Sequence, residues 1–188
     1  MYHIKNDKRA ITSSNLIYTA LIQCLKKKPF DKITITYIQV TSSVGRATFY
    51  RNFDNLIDVL KWKCDQSFEE ILTLHIKKHN ENSKQQLLLD FFEYWFHHSD
   101  ILELLLSINH QDIIYNSFVD NSHIITNYYN EKLSLPIQNY DYYISIRIGI
   151  FISILITWLN NGKKETPNEV TNIISEQLDF LNQSEILL

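Results

Sequence analysis

Glycine and proline are almost missing from this sequence, three of each in 188 residues, and turn dipeptides such as Asn-Gly or Pro-Gly are scarce with them. A sheet protein needs such turns at its strand reversals, so their rarity points to long helices on short connections and to an all-α fold. It also removes the glycine-rich loop that cradles phosphate, the dinucleotide fingerprint and the elbow around a nucleophilic serine. No other catalytic constellation takes their place. The sequence reads as a non-enzyme with no cofactor.

Cysteine is nearly as rare. Cys24 and Cys64 lie within helical patterns, without CxxC or Cys/His ligand spacing, and read as reduced core thiols of a cytoplasmic protein. The opening "MYHIKNDKRAITSSN" carries charge but has no apolar stretch behind it of the kind a signal peptide needs, so no export is expected. His75 and His79 stand at i, i+4, a spacing that can chelate Zn²⁺, yet no carboxylate is placed as a further ligand. A solvated face is expected there, and no metal.

What the chain does have is a divided charge. Residues 1 to 63 hold 11 Lys or Arg against 4 Asp or Glu, a balance of +7, whereas residues 64 to 188 balance at −10. A basic end on an acidic body favours a polyanion at one end and keeps the rest of the molecule away from it. The length allows a small domain joined to a larger one.

From Lys8 to Lys28 apolar residues recur near the 3.6 period, predicting a first helix that ends in a Lys triplet before Pro29. Thr34 is a good N-cap for a short helix "ITYIQVT", with Ile35, Ile38 and Val40 facing inward. After "SSV" a second short helix over about Gly45 to Tyr50 turns Val44, Phe49 and Phe53 to a core and Arg46, Thr48 and Tyr50 outward. Two short helices on a tight turn, the second bearing such side chains, form a helix-turn-helix whose second helix enters the major groove. Arg46 can bond guanine or phosphate, Thr48 a base edge or thymine methyl, and Tyr50 the backbone. Lys5, Lys8 and Arg9 precede the first helix, where a basic arm can follow the DNA backbone or a minor groove.

The run "FDKITITYIQVTSSVGRATFYRNFDNLIDVL", Phe30 to Leu60, resembles the DNA-binding segment of TetR-type transcriptional regulators. Phe30, Asp31, Thr34, Ile35, Ile38, Val44, Thr48, Phe49, Tyr50, Phe53 and Leu60 fall on the family's pattern without a gap. The "KPFDKIT" entry and "TFY" core are most similar to the subgroup that includes the dihydroxyacetone kinase regulator. Ser43 stands where the family usually has glycine, Gly45 where it usually has Ser, and Leu56 where it usually has a phosphate-touching Lys. Gln39 and Ser42 replace small apolar residues between the helices. The resemblance implies an N-terminal three-helix helix-turn-helix domain, residues 1–54, and a helical effector-binding and dimerisation domain, residues 55–188. It adds Thr34, Gly45 and Arg51 to Arg46, Thr48, Tyr50, Lys8 and Arg9 as DNA-binding residues.

Beyond Asn55 a long helix to about His79 is expected, then helices in "KQQLLLDFFEYWFHH", "SDILELLLSI" and "HQDIIYNSFVDNSHIITNYYNEKL". Helices of this part enclose a small-effector pocket in the family, which makes Phe92, Trp95, Phe96, Tyr115, Phe118 and Tyr128 candidate lining. Core packing accounts for aromatics at helical spacing more simply. The segment "YYISIRIGIFISILITWL", Tyr142 to Leu159, is apolar enough for a membrane helix, but Arg147 interrupts it. Ser145, Gly149, Ser153 and Thr157 recur every four residues as a seam that lets another helix approach closely. Paired with a last helix at about Asn168 to Leu181, the seam resembles the two-helix contribution to the four-helix dimer interface that the family uses, and a membrane span is not expected.

The expectation is therefore a homodimeric transcriptional regulator that binds a palindromic operator in double-stranded DNA and acts as a repressor released by a small-molecule effector. The alternative from another class is a helical small-molecule-binding or enzymatic domain whose helix-turn-helix no longer functions.

Overall fold

The computed structural model describes residues 1–5, 7–78, 84–133 and 139–183, with no side chain described at 78, 84, 125, 128–133, 140, 141, 143 and 180–183. The described residues form nine α-helices: α1 Lys8–Leu25, α2 Ile35–Ser42, α3 Arg46–Asn52, α4 Leu56–Lys78, α5 Lys84–His98, α6 Asp100–Ser107, α7 Gln111–Leu133, α8 Tyr140–Asn160 and α9 Pro167–Gln183. A single 3₁₀ turn, Phe30–Lys32, links α1 to α2. The all-α architecture matches the reading from composition.

The first helix begins where Asp7 accepts hydrogen bonds from Arg9 N at 3.0 Å and Ala10 N at 2.8 Å. Such a carboxylate satisfies amides that have no partner inside the helix. Its apolar stripe, Ile17, Ala20, Leu21 and Cys24, is buried. The helix stops at Leu25, short of the expected Lys28. Lys27 N and Lys28 N turn back to Cys24 O at 2.9 and 3.0 Å, and Pro29 then holds an extended conformation.

Thr34 caps α2, its hydroxyl oxygen accepting Tyr37 N–H at 3.3 Å. Ile38 is fully buried and Ile35 packs at the margin, but Val40, expected inside, is 79% exposed. Two residues along a helix are about 200° apart around its axis, so a helix of this length cannot bury both Ile38 and Val40 against the same neighbour. Ser43 ends α2 in the left-handed region, φ 57° and ψ 18°, completing the turn without the glycine. Phe49 and Phe53 are buried beneath α3 and meet each other at 5.9 Å, and Phe53 meets Trp62 of α4 edge-on at 5.8 Å.

The fourth helix is the spine shared by both halves of the chain. It packs against α1 on one side and against α5, α6 and α7 on the other. Lys61 ties it to α7, its ammonium donating to Asp65 at 3.1 Å and to Asp120 at 2.8 Å. Further along, Phe68 meets Trp95 at 5.0 Å and Phe118 at 5.2 Å, while Phe91 meets Phe118 at 5.7 Å and Phe151 at 6.0 Å. These rings, from α4, α5, α7 and α8, fill the centre of the body in offset and edge-on contacts that aromatic quadrupoles favour.

Helix α8 buries Ile148, Ile152, Leu155 and Trp158. Its other face leaves Ser145, Gly149, Ser153 and Thr157 exposed, with Tyr142 and Ile146 beside them at 75% and 64% exposure. No helix among the described residues is long and apolar enough to cross a membrane. The α8–α9 turn is fixed by Lys163, which donates to Ser99 Oγ at 2.6 Å and pairs with Glu103 at 3.0 Å.

Candidate nucleic-acid interface

Helix α3 gains its outward face because Phe49 and Asn52 point the other way. Asn52 Nδ2 donates to Ser13 Oγ and Ser14 Oγ of α1, both at 3.1 Å, and so fixes the end of α3 against α1. The polar side chains left outside are Arg46, Thr48, Tyr50 and Arg51, with Thr48 half-buried and the other three exposed.

These four pair within the helix. Arg46 Nη2 donates to Tyr50 OH at 3.4 Å, with its guanidinium 5.5 Å from the tyrosine ring centre. Arg51 Nη2 donates to Thr48 Oγ1 at 2.8 Å. Each guanidinium is thereby held by a neighbour one turn away while keeping most of its five donors unused, a poised state for a bidentate acceptor. Gly45 stands just before α3, and a Cβ built there would meet nothing within 4 Å. The protomer's own packing does not require the glycine.

Thr34 is exposed, its hydroxyl oxygen committed to the α2 cap. Lys8 and Arg9 are exposed too, but they do not precede the first helix as expected. Capping by Asp7 makes them the first two residues of α1. Cations there oppose the helix dipole at a cost of about 0.3–1 kcal/mol each, so helix formation does not explain their presence. Nor does the segment before them extend as a basic arm. His3 N donates to Asn52 O at 2.8 Å, Tyr2 bridges to Phe53, and Tyr2 OH donates to Asp65 at 2.8 Å. Burial and the Asp65 hydrogen bond both push the Tyr2 phenol above its ordinary pKa, so it stays neutral.

Of the six aromatic candidates for effector lining, the five whose side chains are described do not gather around one space. Phe92 and Phe96 face Trp158, at 5.3 and 6.2 Å, while Trp95 and Phe118 belong to the cluster around Phe68. Phe92 and Trp95 are fully buried, Phe96 and Tyr115 are each 38% exposed, and the Tyr128 side chain lies outside the described residues. A concavity of 280 Å³ lies instead between α4 and α5, with His75, Asp90, Glu93, Tyr94 and His98 in its wall. The expectation of a solvated face at His75 is corrected here: the residue is 3% exposed, with Nδ1 2.7 Å from Asp90 Oδ2. The antiparallel return of α5 lays the carboxylate on it, a tertiary contact that local spacing does not reveal. His79 lies outside the described residues. Among the described residues no three metal-binding side chains converge.

Sequence reasoning missed Asn52, whose signal was the "SS" pair in α1 facing a polar residue on an otherwise apolar side of α3.

Residues 82–179 match a TetR family described as a transcriptional regulator C-terminal region. The HTH-type dhaKLM operon transcriptional activator DhaS of Lactococcus lactis subsp. lactis is 24% identical over 110 residues, 58% of this chain. The chain spans half the length of that relative. The crystal structure of Lin0861 from Listeria innocua superposes with a TM-score of 0.79 at 15% identity, covering 95% of this chain and 96% of that one. A TetR transcriptional regulator from Streptococcus agalactiae 2603V gives 0.56 at 21% identity, covering 89% and 93%. At these identities the two structures establish a shared fold, and the family match, which spans just over half of the chain, establishes the lineage. The chain belongs to the TetR family of transcriptional regulators.

Proposed function

We propose that the protein is a sequence-specific DNA-binding regulator of the cytoplasm that acts on a palindromic operator as a homodimer. The observation that carries this reading is the outward face of α3, where Arg46 and Arg51 are held by Tyr50 and Thr48 at the basic end of the chain. In this reading residues 1–54 form the DNA reader and residues 55–188 the effector-binding and dimerisation part. Arg46 and Arg51 read bases or phosphates, Thr48 reaches a base edge while holding Arg51, Tyr50 donates to a phosphate while holding Arg46, and Thr34, Gly45, Lys8 and Arg9 lie along the backbone.

The exposed seam of Ser145, Gly149, Ser153 and Thr157 supports dimerisation, since an apolar helix with a small-residue stripe facing solvent is suited to close approach by a second copy. A twofold dimer places two recognition helices about one helical turn of DNA, on the order of 34 Å, apart. For the effector, Trp95 supports a seat that forms only when the rings filling the body part to admit it. Its Nε1–H is buried without a hydrogen-bond partner among the described residues and is the donor an acceptor-bearing ligand would meet. Differential affinity of such a ligand for the two states of the dimer releases the DNA.

We assign the sign of regulation as repression, by occlusion of a promoter. The relative DhaS carries the name of an activator, so the two signs are set against each other by transcription in vitro from the bound promoter.

The test is selection of bound duplexes from random DNA, followed by titration at several salt concentrations. A pseudopalindrome should emerge, and Arg46→Ala should weaken it by about 1–3 kcal/mol while relaxing base preference. No enrichment over a scrambled pool would overturn the reading.

A further inference from the structure

We propose that Lys28 and Tyr37 form a phosphate clamp on the helix-turn-helix, a DNA contact separate from the recognition helix. The inference rests on the DNA-binding reading above and adds to it a site on the first helix of the motif.

Lys28 is fixed at both ends. Its backbone N–H donates to Cys24 O at 3.0 Å where α1 closes, and its ammonium donates to Tyr37 OH and lies 3.8 Å from the centre of the tyrosine ring. Tyr37 is anchored in turn on the first turn of α2, its own N–H donating to Thr34 Oγ1 at 3.3 Å. The ring is 47% exposed, so the pair faces solvent rather than the core.

Charge separates Lys28 from Lys32 and Lys61, and its contact with a tyrosine hydroxyl separates it from Lys26 and Lys27, which like it form no ion pair among the described residues. Lys32 pairs with Asp31 at 3.1 Å, and Lys61 pairs with Asp65 and Asp120. Among the described residues Lys28 has no carboxylate partner. A tyrosine holds its position without neutralising it, so its positive charge and two further ammonium hydrogens are left to an outside acceptor.

The chemistry suits one phosphate. Tyr37 oxygen accepts from the ammonium, which leaves the phenolic hydrogen to donate to the anion that the ammonium attracts. Holding a lysine in one geometry costs rotamer entropy, and here that entropy is already lost before binding. The location agrees: the first helix of a helix-turn-helix crosses the DNA backbone, while the second enters the groove. A clamp there sets register and carries no base information.

The experiment titrates wild type, Lys28→Met, Tyr37→Phe, the double variant and Arg46→Ala against the duplex recovered by selection and a scrambled duplex of equal length. Circular dichroism confirms that each variant is folded, and Lys28→Met keeps the aliphatic stem so that packing is retained. Lys28→Met should weaken both duplexes by the same factor and flatten the log–log salt dependence by about 0.9 per protomer, the share of one phosphate. Tyr37→Phe should weaken both several-fold with the slope unchanged, and should cost less in the Lys28→Met background. A purely structural lysine would leave the salt slope untouched. If Arg46→Ala loses base preference while Lys28→Met keeps the wild-type slope, the clamp is wrong and the reader stands. If both variants bind as wild type does, the assignment of α3 as the reader falls and the clamp falls with it, whereas a wild type that enriches no duplex removes the DNA-binding reading itself.

Discussion

Asn52, the last residue of the recognition helix, places its carboxamide 3.1 Å from the hydroxyl of Ser14, a residue with no exposed surface. The bond joins α3 to α1 through the core of the DNA-binding part, where a lone hydroxyl would otherwise be buried without its partner. Replacing Asn52 with Leu should therefore cost about 1–3 kcal/mol in urea unfolding. Ser14→Ala combined with Asn52→Leu should recover part of that loss, because both polar ends are then removed together. A single variant as stable as wild type would remove the lock from the account.

Arg46 and Tyr50 form a testable pair. Because the guanidinium donates to the phenol at 3.4 Å, Tyr50→Phe removes a phosphate donor and also loosens the arginine. The two substitutions should be non-additive in operator binding, with a coupling of about 0.5 kcal/mol or more in a double-mutant cycle. Strict additivity would mean that the two side chains act on DNA independently.

Ser43 adopts φ 57°, a conformation that costs an L-residue with a side chain more than it costs glycine. Ser43→Gly should raise stability by about 0.5–1 kcal/mol, less what is lost to the greater freedom of the unfolded chain. A differential scanning calorimeter reads this directly, and a lowered midpoint would contradict it.

Gly149 offers a clean probe of assembly because a Cβ there would meet nothing within 4 Å in its own protomer. Gly149→Glu should leave the protomer folded yet place an unpaired carboxylate in the seam, a penalty large enough to abolish dimerisation. Sedimentation velocity of wild type and variant at micromolar concentration decides. A monomeric wild type, or a dimeric variant, would refute the assignment of the seam.

Cys64 carries a pH dependence. Burial is the main cause that pushes its thiol up to about 12, whereas an unfolded cysteine ionises near about 8.5. A raised folded value means that the contribution is whole below the unfolded pKa and is lost as pH rises from there toward the folded value. The stability gap between wild type and Cys64→Ala should shrink between about pH 8 and pH 10. The folded protein should also resist alkylation by iodoacetamide at pH 8, since the thiolate is the nucleophile.

Much of this was legible in the sequence where periodicity and capping agree. Lys84–His98 is the helix that "KQQLLLDFFEYWFHH" announces, and Thr34, Val44, Phe49 and Phe53 sit as their local pattern requires. The reading failed where a contact depends on what lies across the fold. Val40 is apolar yet outward because α2 is too short to bury a second ridge, and His75 is inward because Asp90 returns to meet it. Period alone cannot distinguish Trp95, wholly enclosed, from Phe96, the next residue and 38% exposed, until the neighbouring helices are placed. The recognition face was visible as residue types, but its internal pairing is a matter of rotamers, which sequence spacing permits without choosing.

The contacts of Tyr2 with Phe53 and with Asp65, the latter 63 residues away along the chain, also bear on the order of events in folding. Joining ends so far apart costs loop-closure entropy that only an already collapsed set of helices can offset. The opening residues are therefore predicted to act as a latch that shuts after α1 to α4 have assembled. Tyr2→Phe should accordingly speed unfolding and leave the refolding rate almost unchanged, the kinetic mark of a contact made after the transition state.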